Sequence, residues 1–343
     1  MANGNFGGGS GTPEDPYLVE DALDLDAVRN DFTAHYKQTA DIDLTGVAWV
    51  PIAPDTDTFE GSYDGGNFEI QNMTIDQPGE YGMSLFSQVS GGVFQNIHLT
   101  NVDIDGGNSA AALISWTFGT DSPIYVQSCS SSGTVKGTNG DAAGLIAYFS
   151  GVEVVNCHST CTVIGGEWDN NAGGLISHLG GNAVVERCYA TGDVSTYYDA
   201  GGFVGITSGN SQIKQCYSSG SAEGDGNIGG FVGTNAVSIE NCYATGNATC
   251  GWGVAGGFVG NASANSAISH SYCIGLVNEE ASSVDTGGFA GSNSGTITDS
   301  FYDVDTSNHD DTGKGTPKTT AELKDQATYT GWDFEEIWAI DSE

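Results

Sequence analysis

An internal repeat constrains this chain more than any other feature. The tract Ala200-Gly-Gly-Phe-Val-Gly205 returns as Ile228-Gly-Gly-Phe-Val-Gly233, Ala255-Gly-Gly-Phe-Val-Gly260 and Thr286-Gly-Gly-Phe-Ala-Gly291. Upstream it relaxes to Ala172-Gly-Gly-Leu-Ile, Ala142-Ala-Gly-Leu-Ile, Ala110-Ala-Ala-Leu-Ile and Tyr81-Gly-Met-Ser-Leu-Phe. The apolar anchors Leu85, Leu113, Leu145, Leu175, Phe203, Phe231, Phe258 and Phe289 are spaced by 28, 32, 30, 28, 28, 27 and 31 residues. A second tract follows each anchor. It reads Val185-Val-Glu-Arg-Cys-Tyr-Ala-Thr-Gly192, Ile213-Lys-Gln-Cys-Tyr-Ser-Ser-Gly220 and Ile239-Glu-Asn-Cys-Tyr-Ala-Thr-Gly246 in its clearest copies. Short apolar segments parted by Gly, Asn, Asp and Ser are strand and turn signals, and no repeat holds a ten-residue stretch of helical period.

A unit of about 29 residues made of short strands cannot bury a face alone, but stacked units share a continuous core. This predicts an all-β fold, a parallel β-solenoid (β-helix) of about nine coils over residues 58–310. At the strand spacing of about 4.8 Å the rod is roughly 40 Å long. A propeller blade usually needs about 40 residues and four full strands, so it fits less well. Residues 1–15 read as a Gly-rich N-terminal segment, 16–57 as an N-terminal cap and 311–343 as a C-terminal cap. Short helices are expected in both caps. One covers Asp21–Arg29; the other starts at the Thr319-x-x-Glu322 capping box. Solenoid ends need such departures to blunt unpaired strand edges.

Composition excludes several functions. The 343 residues hold 8 Lys+Arg against 44 Asp+Glu, a formal charge of −36. Nucleic acid and anionic membrane surfaces are excluded as partners, since both need clustered base. No run of 18 apolar residues marks a membrane span, and the first residues carry no basic and apolar secretory leader. Absence of a leader tilts the expected location, extracellular or on a virion surface, toward a virion.

The Gly-Gly-Phe-Val-Gly and Asn-Cys-Tyr-Ala-Thr-Gly tracts resemble the GLUG repeats of bacterial and archaeal surface proteins. The opening Gly11-Thr-Pro-Glu-Asp-Pro-Tyr-Leu-Val and the closing Gly331-Trp-Asp-Phe resemble the segments that flank such repeats. The resemblance implies a β-solenoid and a surface setting of adhesin type. It implies no chemistry, because the family has no catalytic motif to carry over.

The repeat register nominates candidate sites. Cys129, Cys157, Cys188, Cys216 and Cys242 share one position, held elsewhere by Met73, Ile97, Ser271 and Ser300. They are expected to point inward as a reduced column of small hydrophobes. The next position holds His98, His158, Tyr189, Tyr217, Tyr243, Tyr272 and Phe301, an outward aromatic ladder beside the hydroxyls of Thr100, Thr160, Thr191, Ser219 and Thr245. This ladder is either a packing device or a flat platform for sugars or a partner chain. Loops before the Gly-Gly tracts carry Trp168, Tyr197, Tyr198 and Trp252, and an Asp/Asn column (Asp141, Asn171, Asp199, Asn227, Asp285) expected to cap its own turns. Asp303, Asp305 and Asp310 outline a poor match to a calcium loop, so Ca2+ is the one cofactor considered.

These features point to a recognition or attachment module without turnover, in a tail fibre, a spike or a cell-surface adhesin. The expected ligand is a cell-surface glycan or a protein, including other subunits of a particle or a second copy. The ligand-binding candidates are Trp168, Tyr197, Tyr198, Trp252, Tyr189, Tyr217, Tyr243 and Tyr272. Two alternatives stand beside it: a polysaccharide-cleaving β-helix enzyme, and a purely structural particle or surface-layer component. Against cleavage, Lys136, Arg187 and Lys214 are the only bases between residues 38 and 313.

Overall fold

A computed structural model describes residues 6–54, 56–118, 123–167, 170–280 and 285–340. The chain is a parallel β-solenoid with the expected repeat of one coil per unit. Among the described residues, an 11-stranded sheet runs from Tyr17–Val19 to Thr296–Thr298. An 8-stranded sheet from Phe86–Val89 to Ala290–Asn293 and a 7-stranded sheet from Ala110–Ala111 to Asp285–Gly287 form two further faces. A fourth carries the Cys-Tyr tracts, as at Tyr189–Ala190 and Tyr217–Ser218.

Equivalent residues of successive coils lie directly in register. Val126, Val154, Val185, Ile213, Ile239, Ile268 and Ile297 form one such column. The anchors form another: the amides of Leu175, Phe203, Phe231 and Phe258 each donate 2.9 Å to the carbonyl of the next anchor. The rings of Phe203, Phe231, Phe258 and Phe289 stack at 4.8 Å along the inside of the rod. In-register parallel pairing requires this: a side chain that repeats must pack against its own copy one strand spacing away. Gly192, Gly220 and Gly246 show how closely the backbones approach. A Cβ on Gly220 would lie 1.9 Å from the carbonyl oxygen of Gly192, and one on Gly246 1.9 Å from that of Gly220.

The Cys column is inward, buried and unpaired, as expected. Its role differs from that of a hydrophobe. The amides of Cys129, Cys157, Cys188 and Cys216 donate to the Sγ of the next cysteine in the column, at 3.3–3.4 Å. Each thiol in turn donates to the carbonyl two residues before it, as Cys188 does to Glu186 at 3.2 Å and Cys216 to Lys214 at 3.1 Å. Serine continues the pattern: the Cys242 amide donates to Ser271 Oγ, and the Ser271 amide to Ser300 Oγ. A kink creates the need. The residue before each column member is left-handed, including Asn156 (φ 56°), Arg187 (φ 53°), Gln215 (φ 53°) and Asn241 (φ 57°). The kink turns the next amide toward the core, where a buried N–H must find an acceptor. Burial pushes the thiols of Cys157, Cys188 and Cys216 well above their usual range, which keeps them as donors.

The coils begin earlier than the repeats suggest. Tyr17, Tyr36, Tyr63 and Phe94 are successive rungs of the first face, so the expected N-terminal cap already contributes coils. Its true end is the Gly-rich segment. Gly7 N–H donates to Leu18 O and Leu18 N–H to Gly8 O, both at 2.9 Å, which covers the edge strand. Gly9 (φ +88°) turns the chain there, where a Cβ would strike Pro16 O at 1.9 Å. Both expected helices form, at Ala22–Ala27 and Thr320–Leu323, the second with its capping box closed. At the far end, Asp311 Oδ1 accepts from the Gly288 amide at 2.8 Å and Lys314 Nζ donates to Thr286 O at 3.3 Å.

The thiol ladder is testable by a matched pair of substitutions. Cys188→Ala and Cys188→Ser remove similar volume, but only serine still accepts from the Cys157 amide. Leaving a buried amide unpaired costs about 1–3 kcal/mol. In urea unfolding, Cys188→Ala should therefore be less stable than Cys188→Ser by that order. Equal stability of the two would mean that the column is merely apolar.

Candidate functional site

The aromatic ladder is real, but its geometry changes what it can bind. His158 stacks on Tyr189 at 4.5 Å, Tyr189 on Tyr217 at 4.9 Å, Tyr217 on Tyr243 at 4.8 Å and Tyr243 on Tyr272 at 5.2 Å. The planes are within 9° of parallel. Each ring thus covers the face of the next, and the ladder offers solvent only edges and phenolic hydroxyls. Burial raises Tyr217 and Tyr243 above the usual phenol range, so those hydroxyls stay protonated. A flat platform for sugar faces is therefore not what Tyr189, Tyr217, Tyr243 and Tyr272 form; the stack serves the sheet. A shorter row on another face, Trp116–Tyr148 at 4.9 Å and Tyr148–His178 at 4.6 Å, also runs from coil to coil, but its planes are tilted by 29° and 50°.

The far end of the ladder is covered by the chain itself. Trp332 and Trp338 pack on Tyr272 at 6.4 and 5.8 Å, and Trp338 reaches Tyr243 at 6.3 Å. The indole N–H of Trp338 donates to Asn241 Oδ1 at 3.2 Å, and that of Trp332 to Asp299 O at 3.1 Å. This contact spans 97 residues of sequence, beyond the reach of the repeat register. The signal that could have raised it is the density of aromatics from Tyr329 to Trp338.

The loop edge presents solvent-exposed rings. Tyr197, Tyr198 and Trp252 are 53, 43 and 71% exposed, and Trp168 lies outside the described residues. Register places Ser195, Glu223 and Thr249 on consecutive coils. Tyr197 and Trp252 thus stand two coil steps apart, about 10 Å, with Asp225 on the coil between. Beside them runs a groove of about 310 Å³ lined by Tyr197, Glu223, Asp225, Thr249 and Glu280. Exposed rings, carboxylate acceptors and a hydroxyl on one rigid edge can stack on an apolar ligand face and accept its hydrogen bonds.

The Asp/Asn column beneath this edge does not cap its own turns. Asp141 accepts from the Asn171 amide and Asp199 from the Asn227 amide, both at 2.8 Å, one coil on. Asp199 also accepts from Thr234 Oγ1 at 2.7 Å. Burial raises the Asp141 carboxyl above the usual range and lowers His178 below its own. The column ties coil to coil and holds the loop bases.

Asp303 and Asp305 fasten the C-terminal cap. Asp303 caps the helix Val304–Ser307 and accepts from Thr320 Oγ1 at 2.6 Å, while Asp305 accepts from the Thr320 amide at 2.9 Å. Asp310 lies beyond the left-handed Asn308 that ends that helix. Among the described residues no three His, Cys, Asp or Glu are gathered so as to hold a metal ion.

A family model described as the GLUG motif matches residues 169–195 and 224–249. Each match spans one coil, from the loop edge through the Cys-Tyr tract. A candidate Gly-rich membrane protein of Evansella cellulosilytica is 31% identical over an alignment that takes in 98% of this chain and 45% of that protein. Halomucin of Haloquadratum walsbyi is 35% identical over 147 residues, 38% of this chain and 2% of that protein. The chain thus spans less than half the length of either relative. The crystal structure of a candidate immunoglobulin A1 protease from Bacteroides ovatus superposes with a TM-score of 0.62, covering 96% of this chain and 91% of that one. At 20% identity this likeness is one of fold.

Charge surrounds all of these surfaces. Among the described residues there are four ion pairs, Arg29–Asp26, Lys136–Asp105, Arg187–Glu186 and Lys318–Glu322, against 44 acidic residues in the chain. Stacking repeats brings like charges onto neighbouring coils, and the repulsion is screened by salt, whose Debye length falls from about 30 Å at 0.01 M to about 3 Å at 1 M. The melting temperature should therefore rise steadily from low salt to molar monovalent chloride. A melting temperature that is flat or falls over that range would show that the carboxylates do not strain the stack.

Proposed function

We propose that this β-solenoid, two coils of which match the GLUG motif, is a non-enzymatic recognition module that attaches to a glycan at a cell surface. The observation that carries the reading is the loop edge: Tyr197, Tyr198 and Trp252 are exposed rings on a rigid rod, two coil steps from end to end. Exposed rings of this size cost solubility, and rigid aromatic surface binds at low entropic cost. The neighbouring groove supplies Glu223, Asp225 and Glu280 as acceptors for sugar hydroxyls. A surface setting is favoured over a virion by the relatives, one of them named as a membrane protein and both from cellular organisms. No described helix is long and apolar enough to cross a membrane.

Binding to an immobilised panel of surface polysaccharides tests the proposal. The wild type should retain one or more glycans and leave them intact. The double variant Tyr197→Ala/Trp252→Ala should lose at least about tenfold in affinity, about 1.4 kcal/mol, with its melting temperature unchanged. Retained binding in that variant would move the site elsewhere. Release of reducing ends or unsaturated sugars, lost on replacing one carboxylate, would establish a polysaccharide-cleaving enzyme instead.

A further inference from the structure

The C-terminal segment does more than cover the last rungs of the ladder. Between it and the rod lies a cavity of about 230 Å³ walled by Tyr272, Tyr329, Trp332 and Trp338. Ring centroids there are 4.6 Å apart for Trp332–Trp338, 4.8 Å for Tyr329–Trp332 and 5.8 Å for Tyr272–Trp338. The planes meet at 44–59°, unlike the near-parallel ladder. Rings tilted in this way cover only part of one another's faces, and all four border the cavity.

The same cavity has a carboxylate in its wall. Asp303 is 2% exposed and takes no part in any of the four ion pairs among the described residues. Its Oδ1 accepts from the Asp305 amide and its Oδ2 from Thr320 Oγ1, which leaves acceptor capacity on both. A buried negative charge without a cationic partner favours a ligand that brings one. Lys324 at the rim is exposed, so its opposing charge is screened by water.

From this juxtaposition we propose that the cavity at the C-terminal end of the rod binds a quaternary ammonium group. Rings arranged around a cation attract it through their negative faces, and Leu323 adds apolar surface for the methyl groups. A primary ammonium fits less well, because it needs three acceptors and the walls offer chiefly Asp303. A sugar has still more hydroxyls to satisfy. The net charge of −36 raises the local concentration of any cation. This site is separate from the loop edge, and neither its occupancy nor its test depends on glycan binding there.

The experiment titrates the intact protein with choline at constant ionic strength, following tryptophan fluorescence and heat. The control is the uncharged analogue in which a tert-butyl group replaces trimethylammonium. Choline should bind saturably and at least about tenfold tighter than the analogue. Binding should be lost in Trp338→Ala and in Leu323→Trp, which fills the cavity without removing a ring, and kept in Trp252→Ala. Saturable binding of soluble phosphocholine would support a free or polymer-borne choline. Capture by phosphatidylcholine vesicles without it would support a lipid headgroup. Equal affinity for choline and its analogue, or no saturable binding of choline, overturns the proposal.

Discussion

The backbone hydrogen bonds between coils, made in register at one strand spacing, set everything else in this molecule. They oblige each side chain to lie on its own copy, so the structure is a set of columns. A column of phenylalanines fills the core at 4.8 Å intervals, and a column of tyrosines lines the outside at nearly the same interval. The spacing is close to the contact distance of stacked rings, which stabilises the sheet and also uses up the ring faces. Among the described residues, ring faces are less fully covered by their own copies where the register lapses, in the loops and at the ends. Recognition is therefore expected at Tyr197, Tyr198 and Trp252 and around Trp332 and Trp338, not along the regular flanks.

Polar columns carry as much of the order as apolar ones. Each coil turns a corner at a left-handed residue, and the amide after that corner faces the core. Cysteine and serine suit the next position because each can accept from that amide and donate to a carbonyl nearby. The Asp141–Asn171 and Asp199–Asn227 pairs do comparable work at the loop edge. A repeat with only apolar residues at these places would bury unpaired amides at every coil, a cost that accumulates along the rod.

The periodic part of this architecture was legible in the sequence because it recurs. The Leu and Phe anchors, the inward cysteines and the outward tyrosines were readable from spacing alone; both short helices were readable too, the second from its capping box. The hydrogen-bonding role of the thiols was not. Met73 and Ile97 at the same position make the column look purely hydrophobic, and Ser271 and Ser300 were the signal to the contrary. The corner column was hidden by its mixed residues: Asn156, Arg187, Gln215 and His270 share a backbone angle rather than a chemistry. Contacts outside the period were invisible as well. Nothing local in Trp338 tells that it reaches Asn241, or in Gly7 and Gly8 that they cover the strand Tyr17–Val19.

Removing one coil tests the stacking most directly. Gly220 and Gly246 occupy one repeat position, so deleting residues 221–246 joins equivalent points of neighbouring coils. If each repeat is one coil held by like-on-like register, the shortened chain folds cooperatively. Its rod, measured by small-angle scattering, is then shorter by about 5 Å, one strand spacing. Deleting only residues 221–233 should leave a half coil out of register and abolish cooperative unfolding. Both deletions unfolding alike, or the half-coil deletion folding as well as the full one, would contradict the account.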